Sequence, residues 1–238
     1  MQSAHRASTS YSVMKRATED FYADLTRDYL TKIRQLVPRY DEMVECILEL
    51  LELCRPRTVL DIGAGIGNIS ALVLHRIPGS RVTAVEPSDE MNTEARRLND
   101  CSGERIEFVH QDIVDFVPDC GFDAIFSNLV LHNIPLNERR LLLARLCEWL
   151  EPGGCFVWSD LIRHADERVE AHFVDYRKEF ALAAGCPIEL VQQNFEKEAR
   201  EDQPLTIEQM LEEARRAGFR QATPVWAHDT FAILWLRR

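Results

Sequence analysis

A chain of 238 residues with 46% hydrophobic side chains is long enough to bury a full α/β core, and it contains no run of 18 apolar residues that would read as a membrane span. Its 39 acidic against 28 basic side chains leave a net charge of −11. That balance argues against nucleic acid as partner, since phosphate binding calls for a basic face, and favours a small molecule.

In chain order, Met1–Lys15 is polar and lacks the apolar stretch of a secretory signal, so a cytoplasmic protein is expected. A helix is predicted over Glu19–Leu36, and after Pro38 a second, with Asp41 as its N-cap and Met43, Val44, Ile47, Leu48 and Leu51 at helical spacing. From Arg57 the pattern becomes strand–helix alternation. Thr58–Asp61, Arg81–Val85, Ile106–Val109, Asp123–Ser127 and Cys155–Ser159 read as strands, with helices over Ile69–Ile77, from Ser88 to Leu98, and over Asn137–Leu150. Glu151-Pro152-Gly153-Gly154 reads as a turn. After Asp160 the alternation lapses into helix up to about Arg216, then resumes as a hairpin of Phe219–Val225 and Thr230–Leu236. Such a pattern predicts parallel βαβ units with helices on both faces. The chain then reads as one domain: a helical cap (1–56), a ligand-binding core (57–160), a helical lid (161–216) and a final hairpin (217–238). The seven cysteines are odd in number, none spaced as CxxC, and Cys46, Cys147 and Cys155 fall in apolar surroundings. Reduced thiols, no disulfide and no metal site are expected.

Gly63-Ala64-Gly65-Ile66-Gly67 follows the first strand and opens a helix, where glycines let backbone N–H groups approach a ligand. Asn68 stands where a helix cap belongs, and where the dinucleotide fingerprint wants another glycine. Glu86, at the end of the next strand, is placed to bind ribose hydroxyls. Asp61, two residues before the first glycine, would sit badly beside a pyrophosphate but suits a ligand carrying an ammonium and a sulfonium.

Val59–Gly67 resembles motif I of the class I S-adenosylmethionine-dependent methyltransferases. Val85-Glu86-Pro87-Ser88, Gln111-Asp112-Ile113, Asp123–His132 and Leu150–Cys155 resemble that family's later stations in the same order. The resemblance implies a Rossmann-like, doubly wound seven-stranded sheet with an antiparallel last strand, and S-adenosylmethionine as cofactor. It places Gly63, Ala64 and Gly65 against the methionine moiety, with Asp61 organising the loop near the amino group. Glu86 would take both ribose hydroxyls, and Pro87 or Met91 would pack by the adenine. Asp112 would accept from the adenine amine, Ile113 would lend its N–H, and Asn128 would face the sulfonium. Arg34–Tyr40 and Ala217-Gly218-Phe219 are similar to the branch holding tRNA wobble-uridine carboxymethylation enzymes and small methyltransferases, and add Tyr40 as a cofactor contact. In that branch the carboxy-S-adenosylmethionine synthases hold an extra carboxylate with an arginine. Here Phe195 falls near that place, with Arg200 close by, which favours ordinary methyl transfer.

In-line methyl transfer needs mainly positioning, and a base only when the acceptor must lose a proton. His132 and Asp160 are the candidate bases. Tyr22, Tyr29, Trp158, His172, Tyr176 and Arg177 are candidate acceptor linings, and Arg177-Lys178 points to an anionic acceptor or simply to a solvated helix face. A tRNA substrate, a non-catalytic cofactor-binding protein and a nicotinamide oxidoreductase remain the competing readings. Helices flanking the sheet leave room for a homodimer.

Overall fold

The period-2 and period-3.6 apolar patterns resolve, in a computed structural model describing residues 28–238, into a single sheet flanked by helices. Helices α1 (Tyr29–Leu36) and α2 (Tyr40–Cys54) precede β1 (Thr58–Ile62). Next come α3 (Asn68–Arg76), β2 (Arg81–Glu86), α4 (Asp89–Leu98), β3 (Ile106–His110) and β4 (Phe122–Asn128). The second half holds α5 (Leu136–Trp149), β5 (Leu150–Leu161), α6 (Glu167–Ala183), α7 (Ile188–Glu201), α8 (Ile207–Arg216), β6 (Gln221–His228) and β7 (Phe231–Arg237). Among these described residues no helix is long and apolar enough to cross a membrane.

The sheet order is β3-β2-β1-β4-β5-β7-β6. Strands β1 to β5 pair in parallel, and β7 runs antiparallel to both its neighbours. Strand β1 shows why the sheet is covered on both faces. Val59 joins the apolar cluster under α2 and α3, while Leu60 and Ile62 join the one under α5 and α8. Each fully buried aliphatic of this kind contributes roughly 1.5–3 kcal/mol. The strand order reverses between β1 and β4, so their carboxyl ends diverge and leave the crevice where such sheets bind ligands.

Several local expectations are corrected. Asp41 lies in the first turn of α2 rather than capping it, and its carboxylate accepts from Arg34 Nε (2.8 Å). Gly67, in a left-handed conformation, is the N-cap of α3, which frees Asn68 to donate to the Tyr40 hydroxyl (3.3 Å). Residues 151–154, expected as a turn ahead of the fifth strand, fall within it. They loop out within β5, where the pairing steps from Phe122↔Leu150 to Ala124↔Cys155. The expectation of reduced cysteines meets one pair that bears on it: Cys54, ending α2, and Cys155 of β5 bring their sulfurs together across 101 residues, a proximity that spacing cannot reveal. Ser88 caps α4 as expected, accepting from Met91 N (3.2 Å). The helix predicted over Glu19–Leu36 is described only from Tyr29 onward.

Candidate active site

One cleft opens at the switch point, and its walls come from four parts of the chain. The first is the loop after β1. Gly63 N and Ala64 N donate to the Val85 carbonyl (2.8 and 3.1 Å), which ties the loop to β2. Gly63 (φ +65°) and Gly65 (φ +55°) take conformations that suit glycine. A Cβ on Gly63 would lie 2.4 Å from Val130 Cγ2, whereas one on Gly65 would meet no atom within 4 Å. The loop is thus packed at one glycine and open at the other.

Glu86 ends β2 on the second wall of the cleft. Its carboxylate accepts from Gly65 N (2.9 Å) and Ser88 N (3.0 Å), so the two ends of the neighbouring strands fix it in place. Behind the loop, Asp61 is buried and accepts from Ser70 Oγ (2.6 Å). Burial pushes its carboxyl up to about 7, against the Ser70 hydrogen bond and with the help of the Glu86 charge. Tyr40 is buried nearby and its phenol is pushed up to about 12 by burial. Asp112 opens a turn after β3, its carboxylate accepting from Val114 N (3.1 Å), and it lines the cleft with Ile113, Pro87 and Met91.

The third wall is the segment after β4. Leu129 is left-handed (φ +61°), a costly conformation for a leucine, and its N–H is held by the Ser159 carbonyl (3.0 Å). The turn sets Asn128 and Val130 on the wall and carries His132 to the carboxyl end of β5. There His132 Nδ1 lies 2.5 Å from Asp160 Oδ1. Asp160 is fixed in turn by Trp158 Nε1 (2.9 Å) and by the Leu161 N–H (3.0 Å). His132 Nε2 is 3.2 Å from Asn133 Nδ2 and 3.6 Å from Asp202 Oδ2.

The fourth wall comes from α6, α7 and the segment that leaves α7. Lys197 Nζ donates to Asn133 Oδ1 (2.7 Å) and Asp202 Oδ1 (2.6 Å). Gln203 N donates to the His132 carbonyl (2.8 Å), Gln203 Oε1 accepts from Leu136 N (3.1 Å), and Arg139 Nη2 donates to the Gln203 carbonyl (2.7 Å). Arg139 is buried, and desolvation holds its guanidinium below the usual range. The histidine loop is therefore stapled to the end of α7.

Residues 59–154 match the model of a methyltransferase domain. The carboxy-S-adenosyl-L-methionine synthase of Pseudomonas putida is 30% identical over 226 residues, covering 90% of each chain. That of Chromohalobacter salexigens is 30% identical over 214 residues, 85% of this chain and 77% of its own. The chain belongs to the class I S-adenosylmethionine-dependent methyltransferases. A solved relative in fold is the 1,6-didemethyltoxoflavin-N1-methyltransferase of Burkholderia thailandensis, with TM-score 0.67, 23% identity, and coverage of 97% of this chain and 89% of that one.

In this methyltransferase the cleft gathers Gly63, Gly65, Glu86, Pro87, Met91, Asp112, Ile113, Asn128 and His132 from the residues singled out by sequence. Tyr40, Asp61, Ala64 and Asp160 are buried and stand behind that wall rather than on it. Of the acceptor candidates, Tyr29 and Arg177 line the cleft. Trp158 is core, holding Asp160, while His172 and Tyr176 lie on the exposed face of α6. Arg200 is exposed and engages Glu201 (2.5 Å), away from the cleft lining. Tyr22 falls outside the described residues. Sequence reasoning missed Asn133, Asn194, Lys197, Glu198, Asp202 and Phe231, none of which carries a motif. The wall fits an S-adenosylmethionine molecule: open space over Gly65, a fixed carboxylate at the end of β2, and apolar side chains beside Asp112.

Proposed function

We propose that the cleft transfers a methyl group in line from S-adenosylmethionine to a small-molecule acceptor, with His132 as the base that takes the acceptor's proton. The observation carrying this reading is the His132–Asp160 pair, buried at 2.5 Å with the histidine on the cleft wall. When bound, the cofactor supplies an electrophilic methyl group on a sulfonium. The protein then has to bind, orient and exclude water.

Glu86 would take the ribose hydroxyls, Pro87, Met91 and Ile113 would flank the adenine, and Asp112 would accept from its amine. Gly63 and Gly65 would lie against the methionine portion, backed by Tyr40, Asp61 and Ala64, and Asn128 would face the sulfonium. A carboxylate only accepts hydrogen bonds, so the proton of a neutral His132 belongs on Nδ1, facing Asp160. Asn133 agrees with this: its Oδ1 accepts from Lys197, which turns its Nδ2 donor towards His132 Nε2. Nε2 thus carries the lone pair, which accepts from Asn133 until the acceptor's proton-bearing group displaces that amide.

Four carboxylates (Glu86, Asp112, Glu198, Asp202) face two cations (Arg177, Lys197) along the cleft among the described residues. That excess of acid supports a small acceptor over tRNA. The acceptor half would be shaped by the cap (1–56) through Tyr29 and Ile33, the lid (161–216) through α6 and α7, and the hairpin (217–238) through Phe231, around the core (57–160).

A second reading, synthesis of a carboxylated cofactor, has the full-length relatives in its favour. Against it, Phe195, which falls near the place where those synthases carry their arginine, is buried, and Arg200 is turned to Glu201 outside the cleft. Incubation with methyl-labelled S-adenosylmethionine and a metabolite extract separates the two. Label in a small-molecule product, lost in His132→Asn, is expected. Tight cofactor binding with no label transferred, or a carboxylated cofactor in the mass spectrum, would reject methyl transfer.

A further inference from the structure

Arg177 and Lys178 part company in the fold. Lys178 stays half-exposed on the surface of α6, whereas the Arg177 side chain is 3% exposed and lines the cleft. Its two Nη atoms donate to the Glu198 carboxylate of α7 (2.9 and 2.5 Å), and its Nε has no hydrogen-bond partner among the described residues. The guanidinium lies over the rings of Phe195 (4.9 Å) and Phe231 (5.5 Å).

A buried ion pair of this kind seldom stabilises a fold more than apolar side chains in its place would, so its position on a cleft wall asks for another role. The two partners are not equally committed. Glu198 retains 16% exposure and can turn into water, while Arg177 is held between aromatic rings that keep attracting it when Glu198 leaves. We infer that Arg177 receives a carboxylate carried by the acceptor, and that Glu198 is a placeholder displaced by it. The exchange conserves charge: one carboxylate leaves the planar guanidinium fork and another takes it. A cationic acceptor bound by Glu198 would instead strand a buried, unpaired guanidinium. A phosphate would want further cations, and the neighbouring Lys197 is already held by Asp202 and Asn133.

The inference rests on the methyl-transfer reading for which half of the cleft the acceptor occupies, so the test has two steps. Calorimetry with S-adenosylhomocysteine comes first, and absence of binding fails both the reading and the inference. Benzoate, benzamide and benzylamine, alike in shape but anionic, neutral and cationic, are then titrated into protein saturated with S-adenosylhomocysteine. Benzoate is expected to bind at least about tenfold tighter than either other probe and to shift the Arg177 Nε–H resonance. Arg177→Met should erase the preference; if that variant does not fold, Arg177→Lys should still prefer benzoate over benzylamine but bind it about threefold or more weakly than the unsubstituted protein, because the fork is lost, and unchanged benzoate affinity there would overturn the inference. Glu198→Gln should tighten benzoate about threefold or more, because the competing state is gone. A purely structural pair would weaken in both variants, and that result overturns the inference. So do a preference for benzylamine, an absence of benzoate binding, and a carboxylated cofactor released from the purified protein, which would assign the carboxylate to the cofactor instead.

Discussion

His132 sits between two acids, and they do different things. Asp160 meets Nδ1 at 2.5 Å and is itself anchored by an indole and a backbone N–H, so it sets the ring's orientation. Asp202 Oδ2 stands 3.6 Å from Nε2 while its Oδ1 is held by Lys197 (2.6 Å), and the Nε2 lone pair accepts from Asn133 Nδ2 (3.2 Å), an amide that an acceptor would have to displace. His132→Asn is expected to lower turnover about 10²–10⁴-fold, the usual range for a general base, with S-adenosylhomocysteine affinity unchanged. Single-turnover kinetics beside calorimetry checks both halves of that statement. Asp61 gives a second prediction at this scale. Its folded carboxyl titrates at about 7, above the ordinary 3.8, chiefly through burial. Being raised, it contributes stability that is full below 3.8 and is lost as the pH climbs through 7, where the buried group must ionise. With Asp61 backing the cofactor's ammonium, as proposed, binding would favour the ionised form. Cofactor affinity should therefore rise between about pH 6 and 8 with release of a proton, seen by calorimetry in buffers of different ionisation enthalpy. Asp61→Asn should flatten that rise.

Among the elements, the loop between β1 and α3 separates packing from binding. Gly63→Ala would force a methyl against Val130 in a left-handed backbone, and should cost about 1–3 kcal/mol of stability in urea unfolding. Gly65→Ala meets no protein atom, so its added methyl occupies the cleft. It should cost less stability than Gly63→Ala yet weaken S-adenosylhomocysteine binding at least as much. This loop was legible in the sequence because everything it needs is local: a strand, glycines, an acid two residues before them, and Glu86 at the end of the next strand. Asn68 shows the limit of local reading. Its position suggested a cap, but the left-handed Gly67 took that place and Tyr40, far back in the chain, claimed the amide. The part of the cleft built by α6 and α7 was illegible for the same reason on a larger scale. Lys197 reaches Asn133 across 64 residues, and only the packing of α7 decides that meeting. Arg177 and Lys178 adjoin in sequence, and the rotation of α6 alone decides which enters the cleft.

For the molecule as a whole, the fold class came from alternation of patterns, and seven strands in one sheet bear it out. Ligand linkage then gives a global test. S-adenosylhomocysteine at a hundred times its Kd should add about 2.7 kcal/mol to stability. For a chain of this length that is a rise in Tm of about 5–10 °C in calorimetric scans, whereas NADH should leave Tm unmoved. The staple from Gln203 to the His132 carbonyl, together with the Lys197 bridge to Asn133, has a bearing on synthesis. Every residue of the cleft up to Ile113 leaves the ribosome well before the segment that pins His132. The glycine loop is not complete at that point, since β1 pairs with β4 as well as with β2 and Gly63 packs on Val130. Both halves of the cleft therefore await the later part of the chain, and a truncation after Ile113 should bind no S-adenosylhomocysteine in calorimetry.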